Sequence, residues 1–594
     1  MSDASNKRSA EFLQISAQFK LGALVTESSH PVTANLSEGA SRDIAEALDL
    51  LFQVDADVVA AYEKFVDSGR AGQIKDAVLA ALKKSGRIFF TGCGSTGRLS
   101  ILLDSVWRGY WQKARISTIE NLEDRTFSVM AGGDFALIKS VEGFEDFAAF
   151  GKKQIGDLGV TARDIVFAIT EGGETSFVIG TAWKGVEVGA KVYFVYNNPD
   201  DILCEHVARS REVIEDPRIE KLNLTTGPMA ITGSTRMQAT TIQLCAMLTV
   251  MEMVVRELAG GAAGEVAEIP RRFLAKFTEL HAALRTPEVL AQLAQLVAFE
   301  ETTYRSGHKN NYYADAFGID VLTDTTERSP TYCTPPFRKF DDATATESWA
   351  FLFLPCAETA SAWQSILKRE PRCVEWTRDE TRALVGDEKL PSTHEIIRKI
   401  SRAELMRFRI GADGMTSRRL AAGDCAIAIV SGTEATEYFG ARLAEAAKSG
   451  ARTGVICFGT RSGTLPADMV STLAVNIPIP ATDFLLDGIT RVGVKMVLNA
   501  LSTCTMVRLG RVMGNYMIWV VASNLKLIDR ATRYIQKLTG LAYDDANRLL
   551  FEVVEYVEPR MKADQAYPPV VGMAVWRARH QLTNEQAEAK LKNG

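Results

Sequence analysis

The amino-acid sequence predicts an α/β protein built from two doubly wound parallel sheets in tandem, with a helical lid at the end of the chain. Two observations carry this. Short apolar runs alternate with helix-patterned stretches, and the alternation occurs twice, once in each half of the 594 residues. Strands separated by helices need crossover connections, which produce parallel sheets covered on both faces. A third observation, that residues from about 485 onward are almost entirely helix-patterned, supplies the lid.

Taken in order, residues 1–45 are polar and small and read as an arm that wraps a partner domain. The first repeat, 46–262, opens with helix-patterned Ile74 to Lys84, which leads into the strand run RIFFTG at 87–92 and a helix pattern from Arg98 to Lys113. Further strand runs are DIVFAIT (164–170) and KVYFVYN (191–197), separated by the helix pattern Ser176 to Glu187. A long helix-forming stretch from Gly233 to Leu258 closes the unit, and GGAAGEVAEIP (260–270) reads as a linker. The second repeat, 263–480, carries the strand runs WAFLFLP (349–355), CAIAIVSG (425–432), RTGVICFG (452–459) and STLAVNIPI (471–479). STRMQATTIQLCAML (234–248) and ITRVGVKMVLNAL (489–501) echo one another as closing helices, which fits duplication of an ancestral unit. Residues 481–594 are assigned to a helical cap with a small bundle.

Composition narrows the function. Hydrophobic residues make up 46% and charged residues 24%, an ordinary globular balance. With 68 basic against 73 acidic side chains the net charge is -5, and no dense Lys/Arg stripe is present, so nucleic acid is not expected as a partner. The most apolar long segment, Thr240 to Val255, is interrupted by Gln243 and Glu252, and MSDASNKRSAEF lacks an apolar leader core, so no membrane partner and a cytoplasmic location are expected. Nine cysteines without a CxxC pair read as reduced thiols, and six histidines without metal-ligand spacing predict no metal; no cofactor is expected.

The loop TGCGSTGRLS (91–100) places Gly92, Gly94 and Gly97 at GxGxxG spacing between a strand and a helix. Three readings stand. A dinucleotide site would set pyrophosphate on the helix N-terminus and an acid on the ribose about 20 residues on, a place Glu120 fills. A cradle for one phosphate group would instead use Ser95 and Thr96 with free backbone N–H groups. The third reading is a tight turn without a ligand. Two further strand-to-helix loops offer hydroxyls: TEGGETS (170–176), with Gly173, Thr175 and Ser176, and TGPMAITGSTRM (226–237), with Ser234, Thr235 and Arg236. Each alone fits an ordinary helix cap. Together they converge on the C-terminal edge of one sheet, where open α/β sheets bind ligands.

IFFTGCGSTGRLSILLDSVW, AGGDFALIKSVEGFED (131–146), GPMAITGSTRMQ (227–238) and LNALSTCTMVRLGRVMGNYM (498–517) resemble the sugar isomerase (SIS) fold, and more narrowly the bacterial N-acetylmuramic acid 6-phosphate etherases and the glucokinase regulatory protein. The resemblance covers most of 50–560, and LTGLAYDDANRLLFEVVE (538–555) is similar to the helical bundle that ends etherase chains. It implies a phosphorylated sugar or amino sugar bound by Gly94, Ser95, Thr96, Gly173, Thr175, Ser234 and Thr235, with Lys495 matching a ligand-contacting lysine of the regulatory protein. A family glutamate expected on the helix after the glycine loop is replaced by Val106, whereas LTDTTERSPTYC (322–333) puts Glu327 at that position in the second repeat. The other family glutamate is matched by Glu142. The resemblance therefore implies a composite site with Glu327 as acid and Glu142 as base, or the reverse, in a carbon–oxygen lyase of the etherase type. It equally implies a non-catalytic sugar-phosphate sensor acting on a protein partner such as a sugar kinase, and, third, a sugar-phosphate isomerase.

Two departures from the family follow. The second loop reads EGGET where the family has SGRT or SVGLS, so Glu174 enters near the anion site, where it is expected to repel phosphate. YRSGHKNNY (304–312) is taken as the second repeat's glycine loop, with only Gly307 kept, which predicts one working and one degenerate pocket.

Overall fold

The computed structural model describes residues 3–16, 21–114, 119–141, 143–459, 473–520, 522, 525–562 and 567–593. The first sheet contains β1 (Ile88–Gly92), β2 (Thr126–Met130), β3 (Ile165–Ile169), β4 (Lys191–Tyr196) and β5 (Ile219–Asn223), all parallel, in the order β2-β1-β3-β4-β5. The second contains β6 (Asn310–Ala314), β7 (Ala350–Phe353), β8 (Cys425–Ser431), β9 (Arg452–Phe458) and β10 (Leu473–Ile477), parallel in the order β10-β9-β8-β6-β7. Read from its other edge this is the same order, with β6 in the place of β1 and β8 in that of β3. The predicted tandem of doubly wound sheets is therefore present. β1 and β3 are buried along their whole length because helices cover both faces.

Nine helices position the site. In chain order they are α1 (Asp3–Ile15), α2 (Ser95–Trp111), α3 (Ser176–Glu187), α4 (Gln238–Leu258), α5 (Gly318–Tyr332), α6 (Glu437–Lys448), α7 (Gly488–Arg508), α8 (Leu525–Thr539) and α9 (Tyr543–Lys562). α2 follows β1 and α5 follows β6, so they are the same element of the two repeats, and α4 and α7 close the two sheets as their sequence echo predicts. α4 is the one helix among the described residues long and apolar enough to cross a membrane, and its apolar stretch, through Val255, is buried inside the protein. α8 and α9 pack against each other as part of the lid.

Three expectations need correction. The stretch 304–312 is not a glycine loop: a helix runs over Pro287–Arg305 and β6 begins at Asn310. The true counterpart of the glycine loop is Asp315–Phe317, between β6 and α5. β6 escapes an apolar reading because Asn310 and Asn311 are buried with partners: Asn310 Nδ2 donates to Glu300 Oε1 (2.9 Å) and Asn311 Oδ1 accepts from Arg418 Nε (2.7 Å). The stretch 260–270 is mostly helix, running over Ala263–Leu284. The arm at 1–45 binds its own chain. On α1, Ser9 Oγ donates to Asn547 Oδ1 of α9 (2.6 Å), and further on Thr33 Oγ1 donates to Ala230 O (2.6 Å).

The halves are locked by Arg369 of the second. Its guanidinium donates to both carboxylate oxygens of Asp134 (2.6 and 3.0 Å), to Asp104 Oδ2 on α2 (3.0 Å) and to Ser128 Oγ on β2 (2.8 Å), all buried. Arg372 O accepts from Asp134 N beside it (3.0 Å).

Candidate functional site

The order β2-β1-β3 makes the crevice between β1 and β3 a topological switch point, because the chain leaves these neighbours in opposite directions. The loops after β1 and β3 open onto it. In the first, Gly94 has φ 56° and ψ -123°, a conformation that favours glycine. A Cβ on Gly92 would lie 2.4 Å from the Thr96 backbone, so the turn closes only with glycine there. Thr96 Oγ1 donates to Cys93 O and accepts from Cys93 N, both at 3.0 Å, which ties the loop to itself. Ser95 Oγ has no partner among the described residues. The first intrahelical bond of α2 is Arg98 N to Gly94 O (3.0 Å), leaving the N–H groups of Ser95, Thr96 and Gly97 ahead of it at the positive end of the helix. The dinucleotide reading fails on topology. Glu120 precedes β2, whereas the strand's C-terminal end, beside Gly92, is Met130.

The second loop is held by its carbonyls. Asn198 Nδ2 donates to Gly172 O (2.9 Å), Ser210 Oγ to Gly173 O (2.7 Å) and Arg209 Nε to Glu174 O. Thr170 Oγ1 donates to Thr175 Oγ1 (3.2 Å) at the cap of α3. Glu174 does not stand as a free charge: Lys526 of α8 donates to its Oε1. Burial pushes the Glu174 carboxyl up, but Lys526 and Arg209 outweigh it and hold it below the usual range. The expected bare carboxylate is therefore neutralised by the lid.

Glu171 in the same loop went unnoticed in the sequence. Its carboxyl is buried, with Thr240 Oγ1 at 3.5 Å, and is pushed up to about 8 by burial above all, with the charges of Glu327 and Glu174 adding to it. An unfolded glutamate has a pKa near 4.5. Between that value and about 8 the folded chain holds a proton the unfolded chain has lost, so this group lowers stability as pH rises through the window. The thermal midpoint of Glu171→Gln relative to wild type is expected to grow from near zero at pH 4.5 to several degrees at pH 8. A difference that does not vary with pH would contradict this placement.

The third loop passes under the lid. Gly233 has φ 72°, and a Cβ there would meet Tyr534 Oη at 2.8 Å and Arg530 Nε at 3.0 Å, both from α8. Tyr534 donates to Thr232 O, and Arg530 and Arg533 pair with Glu27 of the arm. The hydroxyls of Ser234 and Thr235 have no protein partner among the described residues. Arg236 donates to Ser502 Oγ (2.8 Å) and Thr503 Oγ1 (3.1 Å) on α7. Lys495 is on α7, not on the lid. Its Nζ donates to Arg236 O (3.0 Å), Met237 O (3.3 Å) and Thr241 Oγ1 (2.7 Å), fastening the base of this loop, and burial pushes it down to about 8. The lid cation directed at the second loop is Lys526.

Glu327 reaches the first repeat from the second. It is buried on α5, and Arg98, fully buried on α2, donates to its Oε1. The same guanidinium donates to Thr326 Oγ1 (3.2 Å), Leu137 O (3.3 Å) and Ala136 O (3.2 Å), clamping α5 to the segment after β2. Val106 stands on α2 at the step Glu327 holds on α5, counted from Gly97 and Gly318. Glu142 lies outside the described residues. Glu145 Oε2 accepts from Cys93 Sγ (3.6 Å) and Glu145 O from Phe177 N (3.0 Å), so Glu145 borders the first loop and the start of α3. Arg98 and Lys526 join Glu171 as residues whose part is visible only in three dimensions. Hydroxyls without a protein partner among the described residues, on the first and third loops, and free N–H groups at the start of α2 thus stand on the same repeat as Glu171, whose carboxyl feels the charges of Glu327 and Glu174, groups fit to hold an anion and to move protons.

Residues 71–183 match the family described as the glucokinase regulatory protein N-terminal SIS domain. An N-acetylmuramic acid 6-phosphate etherase of Serratia proteamaculans (strain 568) is 33% identical over 223 residues, spanning 38% of this chain and 67% of that protein. One of Aliivibrio fischeri (strain MJ11) is 31% identical over 238 residues, 39% of this chain and 71% of that protein. Among solved structures, a tagatose-6-phosphate ketose/aldose isomerase from Escherichia coli superposes with a TM-score of 0.42 at 11% identity, over 80% of this chain and 96% of that one.

Proposed function

The chain belongs to the N-acetylmuramic acid 6-phosphate etherase family, and from that membership we propose that it binds a phosphorylated amino sugar at the first repeat's loops and cleaves the sugar's lactyl ether. The observation that carries the reading is the Arg98–Glu327 clamp, which brings a glutamate of the second repeat to the loops of the first. Phosphate is held by the N–H groups at the start of α2 together with Ser95, Thr175, Ser234 and Thr235, around turns set by Gly94 and Gly173. A helix terminus alone contributes about 0.3–1 kcal/mol to an anion, so the hydroxyls are needed as well. Thr96 acts by shaping the loop, and Lys495 by holding the third loop in place.

In the open-chain aldehyde a carboxylate takes the C2 proton, the C–H electron pair becomes the C2=C3 bond, the C3–O bond breaks, and the departing lactyl oxygen takes a proton from a carboxyl group. Glu327 and Glu142 are the pair we assign, and Glu171, protonated at neutral pH, is a further proton donor in the same cluster. The binding step is tested by thermal shift. At about 100 times the dissociation constant, N-acetylmuramic acid 6-phosphate adds ~2.7 kcal/mol and raises the midpoint by several degrees, whereas NAD gives no shift and Ser95→Ala/Thr235→Ala loses the response. A shift with NAD alone would overturn the reading.

A second reading, a sugar-phosphate sensor that acts on a protein partner such as a sugar kinase, draws on the lid. Lys526, Arg530 and Tyr534 roof the second and third loops, so a ligand entering there meets the lid directly. Tight binding without lactate release selects it.

A further inference from the structure

The two repeats carry a glutamate at one equivalent place and use it differently. Ile88 of β1 pairs with Ile165 of β3, and Asn310 of β6 pairs with Cys425 of β8; counted along β3 and β8 from these pairs, Glu174 and Glu434 fall at the same step. In the second repeat the Glu434 carboxylate bridges the switch-point crevice. Its Oε1 accepts from Ala316 N, in the loop after β6, and its Oε2 from Ser431 N, at the end of β8, both at 2.9 Å. A negative group of the chain itself thus fills the second repeat's crevice.

Counted on from the strands, Gly94 falls at the step of Ala316 and Glu171 at that of Ser431; the chain then shifts by one residue before Gly97 and Gly318 align on the helices. The N–H of Gly94 has no partner among the described residues, so the first repeat's crevice lacks the plug. Glu174 is turned away toward Lys526, a partly exposed cation whose charge Glu174 and Glu145 sustain. Glu174 Oε2 is buried without a hydrogen-bond partner, and a Cβ on Gly172 would lie 2.3 Å from it, so the carboxylate lies directly over the loop and Lys526 holds it by one oxygen.

We infer that Lys526 is a positioning residue that keeps the first anion site open by drawing Glu174 out of the place its counterpart Glu434 occupies in the second. Without Lys526, Glu174 swings onto the Gly94 N–H and closes the site. The chain then has two anion cradles, one plugged by Glu434 and one opened by the lid, and Glu174 sets a charge threshold that an entering anion has to meet together with the lid. This rests on the proposed phosphosugar site only for the identity of the anion.

The test separates the two. Amide hydrogen exchange on the ligand-free full chain needs no sugar. In Lys526→Met exchange at Gly94 is expected to slow about tenfold, and in Lys526→Met/Glu174→Ala to return to the wild-type rate. Glu434→Ala is expected to speed exchange at Ala316 and Ser431 by a similar factor. Unchanged exchange at Gly94 in Lys526→Met, or at Ala316 in Glu434→Ala, overturns the inference. Titration with N-acetylmuramic acid 6-phosphate is the second arm: Lys526→Met is expected to bind at least tenfold more weakly and the double variant within about threefold of wild type. A double variant as weak as Lys526→Met shows that Lys526 acts on the ligand itself and overturns the positioning role. Slowed exchange in a protein that binds no phosphosugar upholds the plug and defeats only the sugar assignment.

Discussion

Glu327→Gln is expected to cut lactate release by about 10²-fold or more, the low end of what a positioned acid–base group contributes. Gln keeps the length of the side chain and an oxygen for Arg98, and Arg98 keeps Thr326, Leu137 and Ala136 as acceptors, so the fold survives and phosphosugar binding changes little. The loss should therefore fall on kcat and not on KM. Glu142→Gln is expected to fall comparably, and the double variant to be far less than multiplicatively worse, because the two groups serve one elimination. Full activity of Glu327→Gln with a dead Glu142→Gln would place the chemistry inside one repeat and remove the composite site.

The largest stability effect is expected from Arg369→Met. The change leaves the Asp134 carboxylate buried without its guanidinium partner and strips Asp104 of one of three, Arg108 and Arg372 remaining. Breaking a buried ion pair from one side costs about 3–5 kcal/mol, which should appear as a lower urea midpoint. Burial pushes the Asp104 carboxyl up, but Arg369, Arg108 and Arg372 outweigh it and hold it below the ordinary aspartate value. Its stabilising contribution is therefore present above the unfolded-state pKa near 3.9 and is lost as pH falls through the folded value. The gap between wild type and Arg369→Met should narrow in acid. A gap of under 1 kcal/mol at neutral pH would mean that the halves are held by other contacts.

The sheets were legible wherever both faces are covered, because the centres of DIVFAIT and CAIAIVSG, IVFAI and AIAIV, are apolar throughout. β2, β5 and β6 were not. β5 is an edge strand with partly exposed Glu220 and Lys221, and β6 places two asparagines in the core because Glu300 and Arg418 reach them from elsewhere in the chain. No local pattern announces such partners. The same limit governs the site. The glycine loop is a local feature and could be read, as could the hydroxyls of the other loops. Arg98, Glu171 and Lys526 acquire their parts from contacts across the chain, Arg98 with Glu327 and Lys526 with Glu174, and Lys495 looked like a ligand residue until α7 was seen to close the second sheet. The glutamate at the second loop read as a departure from the family pattern; set beside Glu434 it becomes a duplicated feature of the fold.

The claim that the two repeats form one etherase site is tested most directly by incubating the purified full chain with N-acetylmuramic acid 6-phosphate and measuring lactate. The account predicts lactate in step with substrate consumed, a rate that falls about 10²-fold in Glu327→Gln, and phosphosugar binding that the substitution leaves in place. Tight binding of the phosphosugar with no lactate from the wild-type chain would contradict it.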